Sequence, residues 1–258
     1  MPKKRKKRRR RRGSLGRLLR PLSILLTAVA VVAALTMFFK VGTVEVVGNS
    51  RYQASEVIAA TGVELGDNLV LLDKYRIAQR VYTELPYISE ARINRKFPST
   101  LLVEVTETKA LASIQGAGGY WLINAGEKLL EAVDEIGAQD YLQIKGVEAV
   151  NPAVSQRLEL PEDSPITAER LSQLLAVLES RGMLARADGV DFSDWSALAL
   201  DYDGRFRVEI AYDADFDFKL HGLLGAVEKL EPNERGTIRM NMEDDYEARF
   251  IPDRTQGN

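Results

Sequence analysis

Ile88-Ser89-Glu90-Ala91-Arg92-Ile93-Asn94-Arg95-Lys96-Phe97-Pro98-Ser99-Thr100-Leu101-Leu102-Val103-Glu104-Val105-Thr106-Glu107 is the stretch on which the fold turns. Ala91 and Ile93 alternate with Arg92 and Asn94 in its first half, and Leu101, Val103 and Val105 line one face of its second half. That period of two marks half-buried strands, with Lys96-Phe97-Pro98-Ser99 as the connecting turn. Upstream, Ile77, Ala78, Val81 and Tyr82 recur at helical spacing between Lys74 and Leu85, with Asp73 placed to cap the start and Pro86 to end it. Ser55 to Ala60 predicts a shorter helix stopped at Gly62, and Val44 to Val47 a strand halted by Gly48-Asn49. The expected order is strand, helix, helix, strand, strand, a small sheet with two helices on one face.

Before this unit the chain changes character. Every residue from Lys3 to Arg12 (Lys3, Lys4, Arg5, Lys6, Lys7, Arg8, Arg9, Arg10, Arg11 and Arg12) is basic, and Pro21 to Phe39 carries no charge. These nineteen residues, mostly apolar with Ser23, Thr27 and Thr36 the only polar side chains, cover about 28 Å as a helix, close to the roughly 30 Å hydrocarbon core of a bilayer. The run exceeds the apolar core of a typical signal peptide, and its small-x-small site, Ala28-Val29-Ala30, lies inside it, so an uncleaved anchor is expected. Basic residues before a span fix it with that end in the cytoplasm, which puts the remainder outside. Residues 1–20 are therefore expected to be a disordered, lipid-facing tail and 21–39 a transmembrane helix.

The net charge of −2 hides a steep asymmetry. Twelve of the 35 basic residues lie in the first twenty positions, which leaves 23 against 37 acidic residues downstream, a balance of −14. An acidic body argues against nucleic-acid binding, whose affinity comes largely from neutralised phosphates. The absence of cysteine removes disulfides and thiolate metal sites.

Val44-Glu45-Val46-Val47-Gly48-Asn49, then Gly66-Asp67-Asn68-Leu69, then Arg92 to Leu101 and on to Glu107, directly after a membrane span, resemble a POTRA domain, here residues 40–109. The resemblance implies a protein-docking module. Past Lys109, short strands are expected at Ala110 to Ile114, Tyr120 to Asn124, Lys128 to Ala132 and Leu142 to Ile144. Thr167 to Arg181 predicts a helix with a Leu171, Leu174, Leu175, Leu178 stripe, and Leu198 to Tyr202 and Arg205 to Ile210 a hairpin through Asp203-Gly204. A helix from Phe216 to Leu230 and strands at Thr237 to Met242 and Asp245 to Ile251 follow.

Tyr120 to Leu130, Leu142 to Gly146 and Gly236 to Met242 resemble the β domain of the FtsQ/DivIB family of bacterial cell-division proteins, here residues 110–251 with a disordered tail at 252–258. Asn124 and Arg239 stand where relatives commonly carry Asp. The fold class expected is α+β: a single transmembrane helix, a POTRA-like β-α-α-β-β domain and a mixed β-sheet domain with flanking helices. The resemblance implies a divisome scaffold at the septum that is not an enzyme. Its implied partners are membrane-anchored coiled-coil division proteins of the DivIC/FtsB and FtsL kind. The final strand is the expected partner-binding site, with Tyr246, Ala248 and Phe250 on one side and Glu247, Arg249 and Ile251 on the other.

No group of residues points to catalysis, a cofactor or a small-molecule substrate. Asp213, Asp215 and Asp217 have the spacing of a calcium loop, but Phe218 and Leu224 stand where such a loop needs Gly and Glu. The single histidine, His221, has no nucleophile matched to it, and Gly116-Ala117-Gly118-Gly119 lacks the Lys-Ser/Thr ending of a phosphate loop. The competing readings are a POTRA-containing transport or secretion component and an anchored cell-wall enzyme.

Overall fold

Asp73 accepts hydrogen bonds from the Tyr75 and Arg76 N–H groups, and this cap starts a helix whose apolar side, Ile77 and Val81, is buried. The computed structural model in which this is seen describes residues 15–240 and 248–253. The first helix, α1 (Leu15–Phe38), is followed by β1 (Thr43–Val47), α2 (Ala54–Thr61), α3 (Lys74–Glu84), β2 (Ile88–Lys96) and β3 (Thr100–Glu107). β3 lies centrally, parallel to β1 and antiparallel to β2. Val57, Ala60, Ile77 and Val81 of the two helices pack with Ile93, Leu101, Val103 and Val105 of the sheet. Gly48 ends β1 for a spatial reason, because a Cβ there would lie 2.1 Å from the Val105 carbonyl oxygen.

α1 begins at Leu15, six residues before the expected start of the apolar helix, and runs through Arg17 and Arg20, with Pro21 inside it. Part of the expected disordered tail is thus helical. Residues 1–14, including Lys3 to Arg12, lie outside the described residues. Within α1 the side chains are described only at 21–34 and 37–38, and among the residues so described no helix is long and apolar enough to cross a membrane.

The second unit is one nine-stranded sheet. Its strands are β4 (Ala112–Gly116), β5 (Gly119–Ile123), β6 (Leu129–Val133), β7 (Leu142–Ala149), β8 (Ala187–Asp191), β9 (Leu198–Tyr202), β10 (Phe206–Ile210), β11 (Gly236–Arg239) and β12 (Arg249–Pro252), in the spatial order β12-β11-β10-β9-β8-β7-β4-β5-β6. A one-turn helix, α4 (Glu135–Ala138), precedes β7. The parallel pairs β7–β8 and β10–β11 are joined by α5 (Ala168–Ser180) and α6 (Phe216–Val227). Leu171, Leu174, Leu175 and Leu178 of α5 and Leu220 and Leu223 of α6 share one core with Ile144, Val190, Leu200, Val208 and Ile238 of the sheet. The sequence gives little notice of β8, because Ala187-Asp188-Gly189-Val190-Asp191 has one large apolar residue and its strand character comes from neighbours on both sides. β12 extends through Pro252, and the Asp253 N–H bonds to the Arg235 carbonyl, so the expected tail starts inside the ladder.

Lys128 ties the two units together. It is fully buried, and its Nζ donates to the carbonyls of Tyr82 (2.6 Å) and Leu85 (3.4 Å) at the end of α3 and of Ile88 (2.8 Å) at the start of β2, while lying 3.6 Å from the Tyr82 ring centroid. The exposed carbonyls of a helix C-terminus attract a cation. Burial draws the Lys128 ammonium down to about 8. Asn124 sets up this placement, since its Oδ1 accepts from the Gly126 and Lys128 N–H groups and its Nδ2 donates to Thr108 Oγ1. A carboxylate at position 124 has no such donor. Beside it, Tyr87 packs with Leu122 and Leu130 and donates its hydroxyl to Glu131, and burial pushes the Tyr87 pKa up.

Candidate partner-binding edge

β12 is the outermost strand at one end of the large sheet. It pairs antiparallel with β11 in the register Gly236↔Pro252, Thr237↔Ile251, Ile238↔Phe250 and Arg239↔Arg249. The Asp253 N–H bonds to Arg235 O at 2.9 Å, which makes 235 and 253 a hydrogen-bonded pair. In an antiparallel ladder such pairs alternate with non-hydrogen-bonded ones, so Thr237–Ile251 and Arg239–Arg249 bond inward, while Ile238–Phe250 and Gly236–Pro252 do not. The N–H and C=O of Phe250 therefore point away from the sheet, as does the Pro252 carbonyl. Pro252 lacks an N–H and sits at a position whose donor would face outward, where an edge strand tolerates proline. Among the described residues, no strand pairs with this outer side.

The side chains divide by face. Phe250 lies on the core side, packed against the main cluster with its ring 6.1 Å from that of Phe206, edge to face. Arg249 is exposed and Ile251 half-buried on the other side. Ala248 is exposed and precedes the ladder, and Tyr246 and Glu247 lie outside the described residues. Gly236 is buried under β12, and a Cβ on it would lie 2.2 Å from the Ile251 carbonyl oxygen. The last strand thus depends on a residue that sequence reasoning assigned no role. A glycine opening a strand opposite a proline is the available signal.

The non-core face next to β12 is charged. Arg207 lies 3.4 Å from Asp191 and 3.7 Å from Asp201, and Arg239 lies 2.9 Å from Glu209. Hydrogen bonds from Ser193 and Arg207 hold the Asp191 carboxyl below its ordinary pKa. Asp194, Ser196, Arg207, Glu209, Arg239 and Arg249 line a shallow cavity of about 410 Å³ on this face. Arg239 stands directly across from Arg249, an arrangement that repels unless a carboxylate intervenes, and Glu209 takes up Arg239.

The acidic positions elsewhere have local roles. Asp215 caps α6 through the Phe218 N–H, and Asp217 pairs with Arg181 at 2.7 Å. His221 is exposed, with Nδ1 3.2 Å from Arg181 Nη1.

A family profile described as "POTRA domain, FtsQ-type" matches residues 39–108, which contain β1 to β3 with α2 and α3. The relatives are cell-division proteins. The cell division protein FtsQ of Corynebacterium glutamicum is 30% identical over 132 residues, 51% of this chain and 58% of that protein. DivIB of Clostridium tetani is 22% identical over 184 residues, 71% of this chain and 68% of that protein. The chain is similar to FtsQ/DivIB cell-division proteins, and its residues 39–108 match their POTRA domain. A third member, FtsQ of Syntrophotalea carbinolica, is 30% identical over 169 residues, 64% of this chain and 54% of that protein, so the match spans between about half and two thirds of these FtsQ/DivIB relatives. The sheet whose edge is β12 thus carries, docked on it through Lys128 and Tyr87, a domain that matches the FtsQ-type POTRA profile.

Proposed function

We propose that the chain is a cell-division scaffold and not an enzyme, anchored in the cell membrane by Pro21 to Phe39 with Lys3 to Arg12 in the cytoplasm. It works at the septum by adding a partner's strand to β12. The partner class is the membrane-anchored coiled-coil division protein of the DivIC/FtsB and FtsL kind. The observation that carries the reading is the outer edge of β12, where the N–H and C=O of Phe250 point away from the sheet and nothing described pairs with them. An open edge is an aggregation hazard unless something covers it, and strand addition supplies main-chain hydrogen bonds for affinity and alternate side chains for specificity. Arg249 and Ile251 on one face and Phe250 on the other are the side chains an added strand meets.

The anchor is supported by the apolar composition of 21–39 and by the exposure of Leu22, Ile24, Leu25, Leu26, Val29, Val31 and Val32 on α1. The uncharged part of α1, Pro21 to Phe38, rises about 27 Å at about 1.5 Å per residue, close to the roughly 30 Å hydrocarbon core. The test is site-specific photocrosslinking from Arg249 and Ile251 in dividing cells, with Lys229 as a control. Crosslinks to a coiled-coil division protein from 249 and 251 alone support the reading. Equal labelling from all three sites, or none, refutes the edge. Protease treatment of wall-stripped cells checks the orientation independently, since the acidic body is then expected to be digested from outside.

A further inference from the structure

We infer that the POTRA domain is itself a membrane-contacting module, whose base sinks apolar side chains into the headgroup layer of the outer leaflet beside the anchor. The inference rests on the reading of α1 as a membrane span, and its occupant is a lipid surface. Val47 apart, the large apolar side chains that this domain exposes are Leu65 (73%), Val70, Leu71 (75%), Tyr75 and Phe97 (60%). Leu65, Val70, Leu71 and Phe97 belong to two segments that meet the chain where it leaves α1, and Tyr75 follows the first of them in the opening turn of α3. The Leu69 N–H bonds to Phe39 O, the Gly66 N–H to Val41 O, and the Val41 N–H to Asp67 O, each at 2.8 Å, and Lys40 forms a bridge with Asn68. From the other side, the Phe97 ring packs edge to face on Phe39 at 5.2 Å.

α1 ends at Phe38, and Phe39 is already half-buried against the POTRA core. The loop is therefore pinned within one to three residues of the anchor's end. The headgroup layer is about 5 to 8 Å deep on each side, so a segment fixed there lies within it. Apolar and aromatic side chains at that level gain by burial in the interface, and exposed apolar patches of this kind mark contact surfaces. The charges fit a headgroup environment. Lys40 and Lys74 are exposed, whereas Asp67 is turned onto the Glu64 N–H and Asp73 onto the start of α3.

The chain has no cysteine, so single substitutions can be labelled cleanly. Leu26→Cys in α1, Leu71→Cys and Leu65→Cys in the POTRA loop, and Ile136→Cys, an equally exposed apolar site in the β domain (77%), each receive an environment-sensitive fluorophore. The full chain is placed in phosphatidylethanolamine and phosphatidylglycerol vesicles that contain lipids with nitroxides at shallow or deep positions. Leu26 is expected to be quenched by the deep nitroxide. Leu71 and Leu65 are expected to be quenched by the shallow one about twofold or more beyond Ile136, as for interfacial side chains. Deep quenching at Leu26, with Leu71 and Leu65 indistinguishable from Ile136, overturns the proposal while sparing the anchor. Absence of quenching at Leu26 overturns the anchor and this proposal with it.

Discussion

Replacing Gly236 with alanine is expected to detach β12 and leave the rest of the sheet standing. The added Cβ meets the Ile251 carbonyl oxygen at 2.2 Å, the Pro252 Cα at 2.9 Å and the Ile251 carbonyl carbon at 3.0 Å, and nothing of β10 is among these neighbours. A relaxed carbon–oxygen contact is about 3.3 Å, so the strands must part by roughly 1 Å. That stretches the bonds at Thr237–Ile251 and Arg239–Arg249 beyond useful length. Losing two to four ladder bonds at about 1 kcal/mol each, with part of the Phe250 burial, costs roughly 3 kcal/mol. At 1.4 kcal/mol per decade, that is on the order of a hundredfold in the opening equilibrium of the strand. Amide hydrogen exchange reads it directly. Protection at Arg249, Ile251 and Asp253 is expected to fall by about two orders of magnitude, with Ile238 and Val208 in the parallel β10–β11 pair unchanged. Partner capture is expected to fall with it. A folded G236A protein that keeps wild-type protection at Ile251 refutes the claim that glycine is needed to seat the edge strand.

Ala248→Pro removes a donor that, by the alternation of the ladder, faces outward, so it is expected to weaken partner capture about tenfold with thermal stability unchanged. Pull-down and a melting curve check it. Lys128→Met leaves three carbonyls, two at the end of α3 and one at the start of β2, without their donor and is expected to cost roughly 2 kcal/mol in denaturant unfolding, with faster exchange near Leu85. Because folding lowers the Lys128 pKa to about 8, the unfolded chain holds more protons between about 8 and its ordinary value of 10.5, and this group makes stability rise with pH through that window. The urea midpoint of wild type minus that of Lys128→Met, followed from pH about 7.5 to 10 across this window, gives the sign. Glu107 is held down to about 2: burial works against its charge, but the N–H groups of Arg51 and Tyr52 and the Ser50 hydroxyl outweigh it. Its contribution is present above the ordinary pKa of 4.5 and is lost as pH falls toward 2, so Glu107→Gln is expected to destabilise by about 1 kcal/mol at neutral pH after allowance for solvent screening and by almost nothing in acid.

Sequence alone was enough for the local elements whose pattern is self-contained. The Leu171-to-Leu178 stripe, the Asp203-Gly204 hairpin and the Phe97-Pro98 strand pair each carry periodicity and stop signals within a dozen or so residues, and apolar faces of that kind specify helix or strand before any partner is known. The apolar run at 21–39 and the basic run at Lys3 to Arg12 are likewise properties of composition. What the tertiary structure decided is everything that depends on which strands become neighbours. β8 is a strand because β7 and β9 flank it, Lys128 is buried because the end of α3 and the start of β2 together offer three carbonyls, and β12 is an edge because the order of the described strands ends there. Hydrogen-bond phase along β12, and with it the outward direction of the Phe250 amide, follows from a single register set across the chain. Such long-range pairings leave almost no trace in local spacing, since the same short apolar segment suits a central strand or an outer one equally well.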